Sequence, residues 1–172
     1  VIALPEHALT LLQPWAWAVF YAGKDVENRI WWTSYRGPVW VTSSASTTRV
    51  YYRNACAVLR ERAGIVAPPY EELCFGHVLG VVTIVDCILP GGKVSAGVER
   101  PSLARGRYLA DGRLEGATHP LHPALWHFED QYGYVLKNAV RLARPVPCEG
   151  ARKLWRVREP LLGELARVVR AA

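Results

Sequence analysis

The chain has 172 residues, 51% of them hydrophobic, with seven tryptophans, a mean hydropathy of +0.03 and a formal net charge of +6 at pH 7. That length suits one domain with a sizeable core. The apolar content excludes a disordered chain, and no apolar run approaches the roughly 20 residues of a membrane span. The charge is uneven: from Lys137 onward nine basic residues face three acids, while the residues before it balance twelve against twelve, so the whole positive excess lies in the C-terminal third.

Residues 8–12 are apolar and end at Gln13-Pro14, which predicts a first strand feeding directly into a helix. Pro14 suits the first turn of that helix, over 14–22, and Gly23 suits its left-handed stop. Beyond Gly23 an extended chain is expected. Strict alternation puts Asp25, Glu27 and Arg29 on one face, and Lys24 joins Glu27 only if the chain bends, which Gly23 permits. Residues 31–35 read as an exposed or edge segment. A second strand follows over 37–43, with Val39 and Val41 on one face and Trp40 on the other. The hydroxyls of Ser43, Ser44 and Ser46 stand where a helix should begin, to cap it or to touch a ligand. That helix, over 47–63, carries Tyr51, Ala55, Val58 and Leu59 on one stripe and ends at Gly64.

One more turn is expected near Tyr70, then the strongest strand, 78–88. This strand is β-branched almost throughout, which implies cover on both faces, and it carries a single charge, Asp86. Residues 90–123 have no apolar period and hold Arg100, Arg105, Arg107 and Arg113; they read as a mobile binding arm or a surface insertion. Strands follow from Tyr132 and at residues 154–157, and a terminal amphipathic helix lies over 160–169 with Leu161, Leu165, Val168 and Val169 on its stripe. The opening residues lack the basic start and long apolar region of a secretory signal, so a soluble, cytoplasmic protein is expected. Cys56, Cys74, Cys87 and Cys148 have no C-x-x-C spacing and read as reduced, largely buried thiols. His119, His122 and His127 cluster among prolines and read as loop histidines. No metal and no cofactor is expected.

Chemistry concentrates at Gly23-Lys24-x-x-Glu27-x-Arg29, beside Trp15 and Trp17. Two cations flanking a carboxylate next to aromatic rings either pair with one another at a helix end or read a flat, polar ligand. The stretch does not stand alone. Residues 11–16 (Leu-Leu-Gln-Pro-Trp-Ala) precede it, Tyr35-Arg36-Gly37-Pro38 follow, then a Gly76-led strand and a Gly150-to-Trp155 closing segment. In this order the segments resemble the ASCH (activating signal cointegrator homology) domains of the PUA-like superfamily, over most of the chain. The resemblance implies an α+β, mainly β single domain: a PUA-like β-barrel of five or six strands, flanked by two to four helices, with a nucleic-acid-facing cleft.

On that resemblance the expected partner is RNA or another single-stranded nucleic acid, or a modified base or nucleoside. The expected contacts are Gln13, Trp15, Lys24, Glu27, Arg29, Arg36, Ser43, Ser44 and Tyr134, with Trp15 or Tyr134 stacking on a base. Arg152, Lys153 and Arg156 are expected to add sequence-independent attraction for phosphate. Some ASCH-like proteins cleave RNA or hydrolyse nucleoside amides, and in the hydrolase type a threonine nucleophile stands three residues after the lysine. Glu27 occupies that place here, and a carboxylate cannot serve as that hydroxyl. A small ribonuclease or nucleoside hydrolase using Lys24 and Glu27 as an acid–base pair is the alternative to binding; a protein-interaction module is the second.

Overall fold

Alternation, caps and breakers resolve into six strands and four α-helices in a computed structural model that describes residues 4–92 and 123–170. In chain order they are β1 (His7–Leu11), α1 (Trp15–Tyr21), β2 (Val26–Arg29), β3 (Gly37–Ser43), α2 (Arg49–Ala63), β4 (His77–Ile88), α3 (Pro123–Trp126), β5 (Tyr132–Pro147), β6 (Leu154–Arg156) and α4 (Leu161–Arg170). The strands form one mixed sheet in the order β2-β5-β4-β3-β1-β6, with β1 parallel to β3 and antiparallel to β6, and β2 antiparallel to β5. The protein is therefore α+β, with the sheet as its largest element. No helix among the described residues is long and apolar enough to cross a membrane.

The described residues gather into two compact units, the first from residues 4–22, 38–83 and 138–170, the second from 23–37, 84–92 and 123–137. β4 and β5 are long enough to run through both.

In the first unit the parallel pairing of β1 with β3 sets Ala8 beside Trp40 and Leu9 beside Val41. Val39, Trp40 and Val41 are all fully buried, so β3 is covered on both faces. Trp40 anchors a core with Ala8, Val78, Leu142, Val146, Val157 and Leu165, and its indole N–H donates to the Pro5 carbonyl at 2.8 Å. Leu165 brings the apolar stripe of α4 onto this core, with Leu161, Val168 and Val169 at its margin. α2 stops at Gly64, whose φ of 66° ends the helix in a left-handed turn.

Two expectations for α2 change. Its cap is Thr48, whose hydroxyl accepts from the Tyr51 N–H, while Ser43 and Ser44 bond elsewhere. Tyr51 lies exposed, and Tyr52 turns inward instead, its hydroxyl donating to Pro68 and its ring meeting Tyr70 edge-on at 5.4 Å. The cysteines are free as expected. Only Cys87 is buried, however, and the other three are half-buried.

In the second unit Val26, Ile84, Cys87, Trp126 and Tyr134 are buried. Asn28 fastens α3 to β2: its amide donates to Trp126 O at 2.7 Å and accepts from Phe128 N at 2.8 Å. Gly133 is required by close approach, because a Cβ there would stand 2.6 Å from the His127 ring and 2.8 Å from Val26. His127 itself bonds Gln131 O through Nε2 at 2.8 Å. His119, His122 and the arginines of the expected binding arm lie outside the described residues.

Candidate functional site

Gly23, at φ 63°, makes the bend on which Lys24 depends. Lys24 thereby leaves the alternation of β2 and folds back over it. Its ammonium donates to Val26 O at 2.5 Å and to Glu27 Oε2 at 2.8 Å. The other Glu27 oxygen faces Arg29 Nη2 at 3.2 Å. One carboxylate thus holds two cations, and it does so nearly out of water: Lys24 is 4% exposed and Glu27 8%.

β2 sets Glu27 directly opposite Tyr134 on β5. The Tyr134 hydroxyl donates to Trp31 O at 3.1 Å, and burial is the main reason its pKa is pushed up to about 12. Only 1% of Tyr134 is exposed, so its ring is a wall of the unit rather than a stacking face. The ring near the cations is Trp31, whose centroid lies 6.0 Å from the Arg29 guanidinium carbon.

Next to this triad stands Asp25, which the spacing placed on the face of Glu27 and Arg29 without assigning it a role. Its Oδ1 is buried with no hydrogen-bond partner. Burial raises its pKa from 3.8 to about 7, against the opposing pull of its own backbone N–H, Lys24 and Lys137. Asp25 therefore changes charge near neutrality. The signal for it was strand alternation, but its desolvation depends on what packs over it.

Arg36 and Asp86 form a second ion pair in this unit at 3.1 Å. Arg36 also donates to Thr33 O and Tyr35 O, and Asp86 accepts from the Cys87 N–H at 2.7 Å. These bonds tie residues 33–36 to the end of β4. Arg36 Nε is buried without a partner.

The remaining expected contacts belong to the first unit. Gln13 is 1% exposed and spends its amide internally, donating to Cys74 O at 2.7 Å and accepting from Trp17 N at 3.0 Å. Trp15 donates its indole N–H to the Tyr51 hydroxyl at 3.0 Å. Ser43 is buried and bonds the His77 backbone, and Ser44 donates to Ser46 O at 2.9 Å. Arg152 and Lys153 are exposed, and Arg156 makes an exposed ion pair with Glu6 at 3.0 Å.

The second unit thus joins Lys24, Glu27 and Arg29 into one group with Asp25 and Trp31 at its side. Such a group offers guanidinium and ammonium donors held in fixed positions, beside a carboxyl able to gain or lose a proton at neutral pH. No protein-family model matches the chain, and no curated protein is significantly similar to it in sequence.

Proposed function

We propose that the chain is a nucleic-acid-binding domain of the ASCH type, with a PUA-like barrel, that takes single-stranded RNA or a modified base at the Lys24–Glu27–Arg29 group. The observation that carries this reading is a carboxylate holding two cations with almost no water, next to a carboxyl oxygen that has no protein partner. Removing charges from water costs several kcal/mol per ion, by roughly the measure of real proteins, and well-packed apolar residues would serve the fold at least as well. Clustered charges with a perturbed neighbour are characteristic of recognition sites. In this reading Glu27 orients both cations, Arg29 over Trp31 meets phosphate or a base edge, and Asp25 makes the charge of the group depend on pH. Arg152, Lys153 and Arg156 add the sequence-independent attraction.

Cleavage by Lys24 and Glu27 as an acid–base pair would require Glu27 to release one of the cations that occupy its two oxygens. Binding is therefore favoured. The test is fluorescence anisotropy with a labelled single-stranded RNA at low and rising salt. Arg29→Gln keeps the more deeply buried Lys24–Glu27 pair and leaves an amide donor in place of the more exposed guanidinium, so it is expected to stay folded, with a smaller loss of stability than removal of Lys24, while losing about ten-fold in affinity. Absence of binding by the unaltered protein at low salt would sink the reading and favour a protein-interaction module.

A further inference from the structure

The helix α1 has the sequence Trp-Ala-Trp-Ala-Val-Phe-Tyr, with no charged residue on any face. Its inward side is accounted for. Ala16, Ala18 and Val19 are buried, and Phe20 lies so close to β4 that a Cβ on Gly80 would stand 2.6 Å from its ring. The outward side carries Trp17 and Tyr21, one helical turn apart. Their rings stack with centroids 5.9 Å apart and planes 6° from parallel. At the hydroxyl edge of Tyr21 comes Arg141 of β5, its guanidinium carbon 4.9 Å from the ring centroid and its Nη1 donating to the Tyr21 hydroxyl at 2.6 Å.

The outer part of this group stands in solvent, while Trp17 is half-buried. Tyr21 is 55% exposed and Arg141 is exposed. Alternation along β5 sets Ala139 and Ala143 on the Arg141 face, both exposed and both too short to cover the guanidinium. Among the described residues Arg141 has no carboxylate partner: its charge is answered only by a hydroxyl and a ring. An outer helix face ordinarily carries lysines and glutamates. Here it carries two large rings in register and an uncompensated arginine.

We propose that Trp17, Tyr21 and Arg141 form a stacking platform for unpaired bases of a single-stranded polynucleotide, with Arg141 also meeting the adjacent phosphate. The inference rests on the single-stranded-RNA reading above and adds a second, separate set of contacts. The complementarity is twofold. A base presents a flat π-face that suits the stacked rings of Trp17 and Tyr21, and the backbone supplies the negative charge that Arg141 at their edge lacks. Stacking of this kind does not depend on base identity or on the sugar, so the platform supplies affinity while the Lys24 group supplies selectivity.

The experiment uses the full chain and three labelled probes of equal length: a single-stranded RNA, the DNA of the same sequence, and the corresponding duplex. Tyr21→Ala and Arg141→Ala are each expected to weaken binding of both single strands by about ten-fold, and of the duplex by little, since its bases are already stacked. Arg141→Lys keeps the charge without the planar group and is expected to recover only part of the loss. Thermal melting of every variant checks folding, and the two Tyr21 and Arg141 changes lie outside the core. Unchanged single-strand affinity in Tyr21→Ala overturns the platform, as does an equal loss on the duplex, which would make the contact purely electrostatic. Arg29→Gln in parallel separates the two ideas. If it weakens binding while Tyr21→Ala does not, the platform fails and the Lys24 reading stands. If Tyr21→Ala weakens binding while Arg29→Gln does not, the platform stands without it.

Discussion

The two units treat buried polarity in opposite ways. In the first, buried polar side chains find neutral partners: Gln13 bonds Cys74 and Trp17, Ser43 bonds the His77 backbone, and Thr10 accepts from Trp155 while pairing with Thr42. In the second, full charges are buried against one another, and Asp25 Oδ1, Arg36 Nε and Trp126 Nε1 are buried with no partner at all. Satisfied polar groups cost a fold little, whereas unmatched ones cost it stability. The first unit is thus organised for stability, and the second keeps a costly arrangement. That contrast is what supports placing the proposed Lys24 site in the second unit.

The contrast is sharpest in a pair of core changes. Trp40→Ala should destabilise the protein by about 3–5 kcal/mol through the cavity it leaves, with little dependence on salt. Lys24→Met should cost on the order of 3 kcal/mol for a different reason, since Glu27 would then keep only one of its two cations in a dry setting. Denaturant melts at low and high salt compare the two. A Lys24→Met protein as stable as the unaltered one would mean that the triad is solvated and that the contrast between the units is false.

Asp25 gives the next largest effect, and its sign is fixed by the direction of its shift. The folded state holds the Asp25 proton more tightly than the unfolded chain does, at about 7 against 3.8. Its contribution is therefore fully present below about pH 4 and is lost as pH rises through about 7. Asp25→Asn should remove that loss, stabilising the protein at pH 8 by on the order of 1–2 kcal/mol, once solvent screening of a half-buried group is allowed for, and changing little at pH 4. A pH series of melting curves reads this directly. Parallel curves for the two proteins across that range would show that folding leaves the Asp25 pKa unchanged.

The smallest effect belongs to the exposed pair of Arg156 with Glu6. Its two side chains are 65% and 66% exposed, so Arg156→Ala should lower stability by no more than about 0.5 kcal/mol. The same change should lower nucleic-acid affinity more visibly at low salt than at high salt. A large loss of folding stability would place this pair with the buried charges of the second unit instead.

Much of the scaffold was legible in the sequence because it depends on local rules. Gly23 and Gly64 stop helices where left-handed backbone is needed, the β-branched run before Ile88 forms a strand, although Val81, Thr83 and Val85 on one of its faces are only half-buried instead of fully covered, and alternation in Gly37–Ser43 gives β3 with its predicted bounds. The closure of Lys24 on Glu27 was open in the sequence: alternation put the two on opposite faces, and the glycine ahead of Lys24 only permitted the bend that joins them. What alternation cannot report is the surroundings of each face. Thr48 took the capping role over the earlier serines, and Tyr52 turned inward in place of Tyr51 onto the Tyr70 ring, a partner distant along the chain. Tyr134 was expected as a stacking surface and is instead sealed inside the second unit. Asp25 shared a predicted face with Glu27 and Arg29, but its pKa near 7 comes from desolvation. Desolvation is set by residues distant in sequence, so only the tertiary structure could separate these neighbouring carboxylates, one holding two cations and the other poised to exchange a proton.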